Sequence, residues 1–551
     1  LLLLLPLLLG GLVRIVCGTT DDVPTTDATA YLRTGASVWN GDGYRRDGEP
    51  ELHFPPMMPV LLGGAERLFG DPLTGSVVVT VLTGTLLLIP LAGVGRLIGG
   101  AGAGLAAAWV GAFVPALTTV PANQGGGSEG TYVLLVLTAL WVTLAAARRT
   151  GWPRLLGALG GGALTGSAYL TRPEGISYVA VLVPVLLLSG LGGWELVRWR
   201  RVATRGWRTA ASLAVAFGVG LAVFVVPYVD YLHTHTDRWE LTAKARDASL
   251  DAWRAVAEHD RRARDEIFYE LDDDGVAFVA DRFTLAELMK DDPSGYLGIV
   301  GVNVHTATSE LTVARLVPVP VWELIPLPLL LLGAWAAWRS RRRPGVPAVL
   351  ATGALALAVP LTFFVQPRYL TPAAAIACVF IGLGLVSLPR RVRHPAWVVA
   401  GVLIASSLLG GLGGPHHFLA PREQVEHRRV GTWLHENTPP GTRVMTRNLV
   451  VDYYADRVMV PMPYTTMPRL LHFARVHGVD YIIADEYQLR SQRPQYHRLF
   501  ERGPWPGLRL VHGLVQDGRL TRVFALDPPA EVDPDDDLPS DVGFVGDEGA
   551  G

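Results

Sequence analysis

Lysine is almost absent from this 551-residue chain: Lys244 and Lys290 stand beside 46 arginines. Charged residues of every kind make up only 18%, short of the quarter usual in soluble proteins, and an ordinary soluble domain is excluded. The net charge of -2 gives no global basic field, which removes nucleic acid as a partner. The two cysteines, Cys17 and Cys378, lie in or beside apolar runs, so neither a disulfide framework nor a cysteine metal site is supported. No solenoid-length repeat and no glycine fingerprint for a nucleotide is visible. The arginine bias points to a GC-rich, prokaryotic coding sequence and so to the plasma membrane.

What is present is apolar sequence in long runs. Half the residues are hydrophobic and mean hydropathy is +0.29, and uninterrupted apolar stretches of about 20 residues mark bilayer spans. Eleven spans are expected, at 1-18, 76-98, 102-121, 131-147, 154-171, 175-191, 210-232, 320-338, 346-365, 369-388 and 396-414. The first run reads as a span rather than a cleaved signal, since no small-x-small site precedes the polar stretch. Arginines between the spans fall on one side: sixteen lie in alternate loops, against Arg172 and Arg368 in the short loops opposite. By the positive-inside rule the N-terminus is cytoplasmic and the C-terminus extracytoplasmic.

The long polar segments then share the outer face, which places the chemistry there. The expected organisation is a membrane module over 1-414, with a first outer loop at 19-75 and an outer helical loop at 233-319. A small α/β domain follows at 420-527, then an acidic disordered tail at 528-551. The apolar stretch 55-70 is only about 15 residues long and holds Glu66 and Arg67, so it reads as interfacial rather than spanning. The 233-319 loop reads as solvated helices, at 250-263 and 285-289. In the α/β domain, helices at 423-436 and 466-477, strands at 443-445 and 481-484, and a hairpin over 508-526 are expected.

The first outer loop has the densest polar cluster. Residues 27-38 fit a helix with Thr26 as its N-cap, which puts Asp27 and Tyr31 on one face. A carboxylate at the start of an interfacial helix suits a general base, although Asp in a first turn is more often a cap. Asp21 and Asp22 offer a second carboxylate or a divalent-ion contact, or are simply solvated. The His416-His417 pair has no third ligand at recognisable spacing and is not read as a metal site.

The order of motifs carries a resemblance. Asp27-x-x-x-Tyr31 leads to Gly41-Asp42-Gly43-Tyr44 and then to His53-Phe54-Pro55-Pro56-Met57-Met58-Pro59. Ser128-Glu129, the run from Tyr169 through Arg172-Pro173-Glu174-Gly175, and Gln366-Pro367-Arg368-Tyr369-Leu370-Thr371-Pro372 follow in order. Together they resemble the C-superfamily of lipid-phosphate-sugar glycosyltransferases, most nearly family 39, the protein O-mannosyltransferase and aminoarabinose transferase relatives.

The resemblance implies a polytopic helical enzyme that moves a sugar, with inversion, from a polyprenyl phosphate to an extracytoplasmic hydroxyl of a protein, lipid or glycan. It implies Asp27 as base and Arg368 as the cation on the donor phosphate, with His53, Tyr31, Glu129, Arg172, Glu174 and Tyr369 around the substrate. Family members often have Asp-Glu where this chain has Asp27-Ala28, and Lys where it has Phe54, so metal binding and one phosphate contact differ. Each residue also has a plainer reading: Arg368 as a snorkelling cation, Arg172 paired with Glu174, and Glu129 favourable to its helix dipole. A transporter or flippase, or a non-catalytic envelope scaffold, are the competing classes. A transporter usually shows ionisable groups within spans and a repeated half, neither of which is evident here.

Overall fold

The computed structural model describes residues 2-18, 23-118, 126-191, 206-243, 250-271, 285-310, 326-339, 345-389, 425-501, 506-516 and 518-527. Asp21, Asp22, the expected span at 396-414, the His416-His417 pair and the tail at 528-551 lie outside the described residues.

The membrane bundle is built from α1 (Leu4–Gly18), α4 (Pro72–Leu86), α5 (Leu88–Gly99), α6 (Ala101–Phe113), α7 (Glu129–Ala147), α8 (Trp152–Thr171), α9 (Val179–Leu191), α10 (Trp207–Thr236), α15 (Pro326–Arg339), α16 (Val346–Leu361) and α17 (Thr371–Ser387). Helices occupy ten of the eleven expected spans. Among the described residues five are long and apolar enough to cross a membrane: Pro72–Gly99, Glu129–Ala147, Pro173–Leu191, Trp207–Thr236 and Arg368–Ser387. Small residues let these helices close. A Cβ on Gly162 would strike the Phe217 carbonyl and one on Gly220 the Leu159 carbonyl, so α8 and α10 meet at backbone contact. Leu88, Leu91, Val133, Leu137, Phe217 and Val379 are buried in one continuous core. Arg14 is buried there too; it donates to the carbonyls of Gly10, Gly111, Ala112 and Leu117, which lowers the cost of a cation among apolar helices.

At one end of the bundle lie α2 (Thr26–Asn40), the short hairpin β1 (Arg45–Arg46) with β2 (Glu49–Pro50), and α3 (Met57–Phe69). α3 has only 13 residues, too few to span. Its crossing with α2 is set by two glycines, since a Cβ on Gly35 would lie 2.9 Å from the Gly63 backbone.

The 233-319 segment forms α11 (Leu250–Ala257), α12 (Arg261–Tyr269), α13 (Leu285–Asp291) and α14 (Pro293–Glu310). Most described residues of these helices are exposed or half-buried, with a few fully buried. Asp265, Asn303 and Ile299 are buried, because α12 packs on the C-terminal sheet and α14 on the bundle end. The Tyr296 hydroxyl donates to Thr362 O at 3.1 Å and the Asn303 amide to Leu361 O at 3.0 Å.

Residues 425-527 form a mixed five-stranded sheet in the order β4-β3-β5-β7-β6: β3 (Arg443–Thr446), β4 (Val458–Pro461), β5 (Tyr481–Asp485), β6 (Leu508–Gln516) and β7 (Arg519–Leu526). β3 pairs in parallel with β4 and β5, and β7 runs antiparallel to β5 and β6. The covering helices are α18 (Val425–Asn437), α19 (Leu449–Ala455), α20 (Met467–Val476) and α21 (Glu486–Gln492). Neither α19 nor β4 was expected from the sequence.

Candidate active site

α2 starts one residue earlier than expected, and Thr25 rather than Thr26 is its N-cap, accepting from the Ala28 amide at 3.3 Å. Asp27 is therefore not the cap. Its Oδ2 lies 3.0 Å from Nη1 of Arg368, which arrives from the far end of the sequence in the tight turn Pro367–Leu370. Gln366 Oε1 accepts from Arg368 Nε at 2.7 Å and helps fix the plane of the guanidinium. Both partners keep some access, with side chains 34% and 23% exposed.

A second layer sits beneath. Glu129, 1% exposed at the head of α7, accepts from Arg172 Nη1 at 3.1 Å and lies 4.0 Å from Arg368 Nε. Arg172 also donates to Ser128 Oγ at 3.2 Å and to Glu174 at 3.3 Å. Burial disfavours the charge on Arg172, but Glu174 and Glu129 outweigh it and hold the guanidinium protonated. The Tyr369 ring stands between the two cations, 4.5 Å from Arg172 and 5.2 Å from Arg368. The expected Arg172–Glu174 pair is present, and Glu129 does more than oppose a helix dipole, because it joins both arginines.

Tyr31 is buried in the α2–α3 cluster, its ring 4.8 Å from Phe54. Burial, with Asp27 next, pushes its phenol well above the usual tyrosine range, so it keeps its proton at neutral pH. His53 meets the group through Phe54, edge-on at 4.6 Å, and its backbone amide is held by Glu51 at 2.7 Å. A cleft between α7, α16 and α17 is lined by Glu129, Tyr132, Arg172, Glu174, Arg368 and Tyr369. Three helices and the turns at 172–178 and 367–370 thus converge on one cleft that carries four charged side chains.

Among the described residues no three metal-ligating side chains gather at Asp27. Ala28 supplies no second carboxylate, and the acids present are already engaged by guanidiniums. Among the described residues Glu426, His427 and Asp485 are close enough to share an ion. There, however, Asn448 Nδ2 donates to His427 Nδ1 at 3.0 Å, since its own Oδ1 accepts from Val450 N. The imidazole proton then sits on Nε2 and is given to Asp485 at 2.6 Å, leaving no lone pair for a metal.

Residues 53–203 match the family model of dolichyl-phosphate-mannose-protein mannosyltransferases. The aminoarabinose transferase ArnT of Cupriavidus metallidurans, solved with undecaprenyl phosphate, superposes with a TM-score of 0.57 at 13% identity, covering 96% of this chain and 99% of that one. The chain shares the fold of this transferase. The oligosaccharyltransferase of Archaeoglobus fulgidus, solved with zinc and sulfate, matches at a TM-score of 0.56 and 15% identity, covering 89% of this chain and 68% of that one. The same archaeal enzyme with an inhibitory peptide and a dolichol-phosphate matches at 0.55 and 14%, over 89% and 69%. No curated protein matches the chain by sequence.

Sequence reasoning missed Arg33, Asp452 and Tyr453. Arg33 Nη2 donates to Asp452 O at 2.7 Å and lies 3.2 Å from its carboxylate, while Nη1 pairs with Asp47. Burial pushes the Asp452 carboxyl up to about 7, against the pull of Arg33. α19, which carries it, has seven residues, too short for a legible period.

Proposed function

We propose that the chain is an inverting membrane glycosyltransferase that moves a sugar from a polyprenyl phosphate to a hydroxyl of a protein, lipid or glycan on the outer face of the plasma membrane. The observation that supports this reading best is the Asp27–Arg368 ion pair, whose arginine also lines the cleft with Glu129 and Arg172. A carboxylate that can take a proton and a guanidinium that can grip phosphate are the two groups the reaction needs, on opposite faces of the sugar once the donor has parted them. With the donor absent they neutralise each other. An arriving lipid phosphate competes for Arg368 with better bidentate geometry and releases the Asp27 carboxylate toward the acceptor.

Asp27 then takes the acceptor proton as that oxygen attacks the anomeric carbon. The bond from carbon to phosphate oxygen breaks, and polyprenyl phosphate leaves with the electron pair, its charge met by Arg368. Glu129 and Tyr369 hold Arg368 from behind, Arg172 fixes Glu129, and Tyr31 supports the helix of the base. The orientation with the N-terminus cytoplasmic and residues 19-54 and 420-551 outside is part of this proposal, resting on the arginine asymmetry. The test is a donor screen: purified protein in lipid is given several polyprenyl-phosphate sugars and scored for release of polyprenyl phosphate. Release from none of them, by folded protein, sinks the proposal.

A further inference from the structure

We infer that the C-terminal sheet domain positions the proposed base, and that Arg33 is the positioning residue through which it acts. This rests on the glycosyltransferase reading for its consequence but not for its geometry. Arg33 lies on α2, under two turns from Asp27, and its side chain is only 17% exposed. Its guanidinium bridges two bodies: Asp47 in the first loop, and both the carbonyl and the carboxylate of Asp452 on α19. Tyr453, the next residue, packs against the cluster of Ala28, Tyr31, Leu32, Met58 and Leu62 that joins the helix of the base to α3. α2 is thereby held between α3 on one side and a helix of the distant domain on the other.

A second brace reaches Arg368. The domain grips α12 through Asp265, whose two oxygens accept from Arg447 and Arg493, and through the Tyr464 amide, which donates to Tyr269 O at 2.6 Å. α14 of the same segment bonds the carbonyls of Leu361 and Thr362, and its Ala307 packs with Val365 and Leu370 in the Arg368 turn. Base and phosphate cation come from opposite ends of the membrane module, and the domain touches the support of each. Since a displacement of about 1 Å at a reacting group costs on the order of a hundredfold in rate, such a double support acts on the chemical step itself.

The test uses the full-length protein in lipid nanodiscs as wild type, Arg33→Gln, Asp452→Asn, the double variant and Arg33→Lys. Hydrogen exchange is read over residues 26-32, with 129-147 as internal control, and polyprenyl-phosphate mannose serves as probe donor. Exchange over 26-32 should rise about tenfold in either single variant, with no further rise in the double, while 129-147 stays unchanged. kcat should fall about tenfold with KM within about twofold, because the base moves and the phosphate clamp does not, and Arg33→Lys should restore most of it. Wild-type exchange over 26-32 in either folded variant overturns the inference; so does raised exchange with kcat unchanged, which makes the contact merely structural. If the wild-type protein turns over no donor at all, the proposed function falls, and the exchange measurement alone decides the brace. Asp452→Asn is nearly isosteric, which keeps the test available should Arg33→Gln misfold.

Discussion

Two arginine–carboxylate clusters in this molecule use the same chemistry to different ends. Around Asp265 the carboxylate is sealed: Asp265 and Arg493 are fully buried, Arg447 is 18% exposed, and both carboxylate oxygens are bonded to guanidiniums at 2.5 to 2.9 Å. Burial would raise its carboxyl, yet Arg447 and Arg493 win and hold it below the ordinary aspartate range. Around Asp27 a guanidinium contact stands at 3.0 Å, and the carboxylate and the arginine are 34% and 23% exposed. A sealed cluster cannot exchange its partner without unfolding its surroundings. A half-open one can give its arginine to an incoming phosphate. The same residue types read as a clamp between bodies in one place and as a candidate reactive pair in the other, and accessibility is what separates them.

The sharpest way to break this comparison is Asp27→Asn. The amide keeps the size but takes no proton at neutral pH, so turnover should fall by about two to four powers of ten with donor binding within a few fold and little change in melting temperature. Near-normal turnover by the folded variant would reduce Asp27 to a surface partner of Arg368. Asp265→Ala should do the reverse: it strands two guanidiniums in the interior and should cost about 3–5 kcal/mol of stability, read by thermal or denaturant unfolding. A melting temperature equal to wild type would show that the sealed cluster holds nothing together.

Arg368→Ala sharpens the open side. It removes a charge-assisted contact to the lipid phosphate and should weaken polyprenyl-phosphate binding about tenfold to a hundredfold, with turnover falling alongside. Unchanged affinity would return Arg368 to a snorkelling role. The smallest effect concerns Asp452, whose carboxyl burial pushes up to about 7. Its folded value lies above the unfolded one, so the folded chain holds the proton longer. The stability from this source is complete below the unfolded aspartate range and is lost as pH rises through about 7. Asp452→Asn should flatten that slope, a change on the order of 1–2 kcal/mol between pH 4 and pH 8, measured by unfolding at each pH. An unaltered pH profile would remove Asp452 as its source.

Much of the architecture was legible because apolar length is a local property. A run of about twenty apolar residues satisfies its own backbone in lipid only as a helix, so spans at 131-147 and 154-171 could be read to within two residues of the helices Glu129–Ala147 and Trp152–Thr171. The hairpin over 508-526 was legible from its alternation, and the shortness of 55-70 foretold a helix that does not span. Other elements were not. α19 and β4 are short pieces whose signals fall below any periodic threshold. In the 233-319 segment, whose charges read as solvated, the burial of Asp265 was not legible, since the arginines that bury it lie nearly two hundred and more residues away.

The chain by itself determined that it must lie in a membrane, how its apolar segments are spaced and which polar motifs stand at their ends, since hydropathy and backbone satisfaction depend only on neighbours along the sequence. It also marked Asp27, Arg368, Glu129 and Arg172 as residues to watch. Only the tertiary structure decided their partners. That Thr25 caps α2 and leaves Asp27 to Arg368, 341 positions away, that Glu129 joins two arginines, and that Arg33 ties the first loop to the C-terminal sheet all depend on which helices touch. Those contacts arise from glycine-mediated helix crossings and from the mutual neutralisation of buried charges, and neither is local in the sequence.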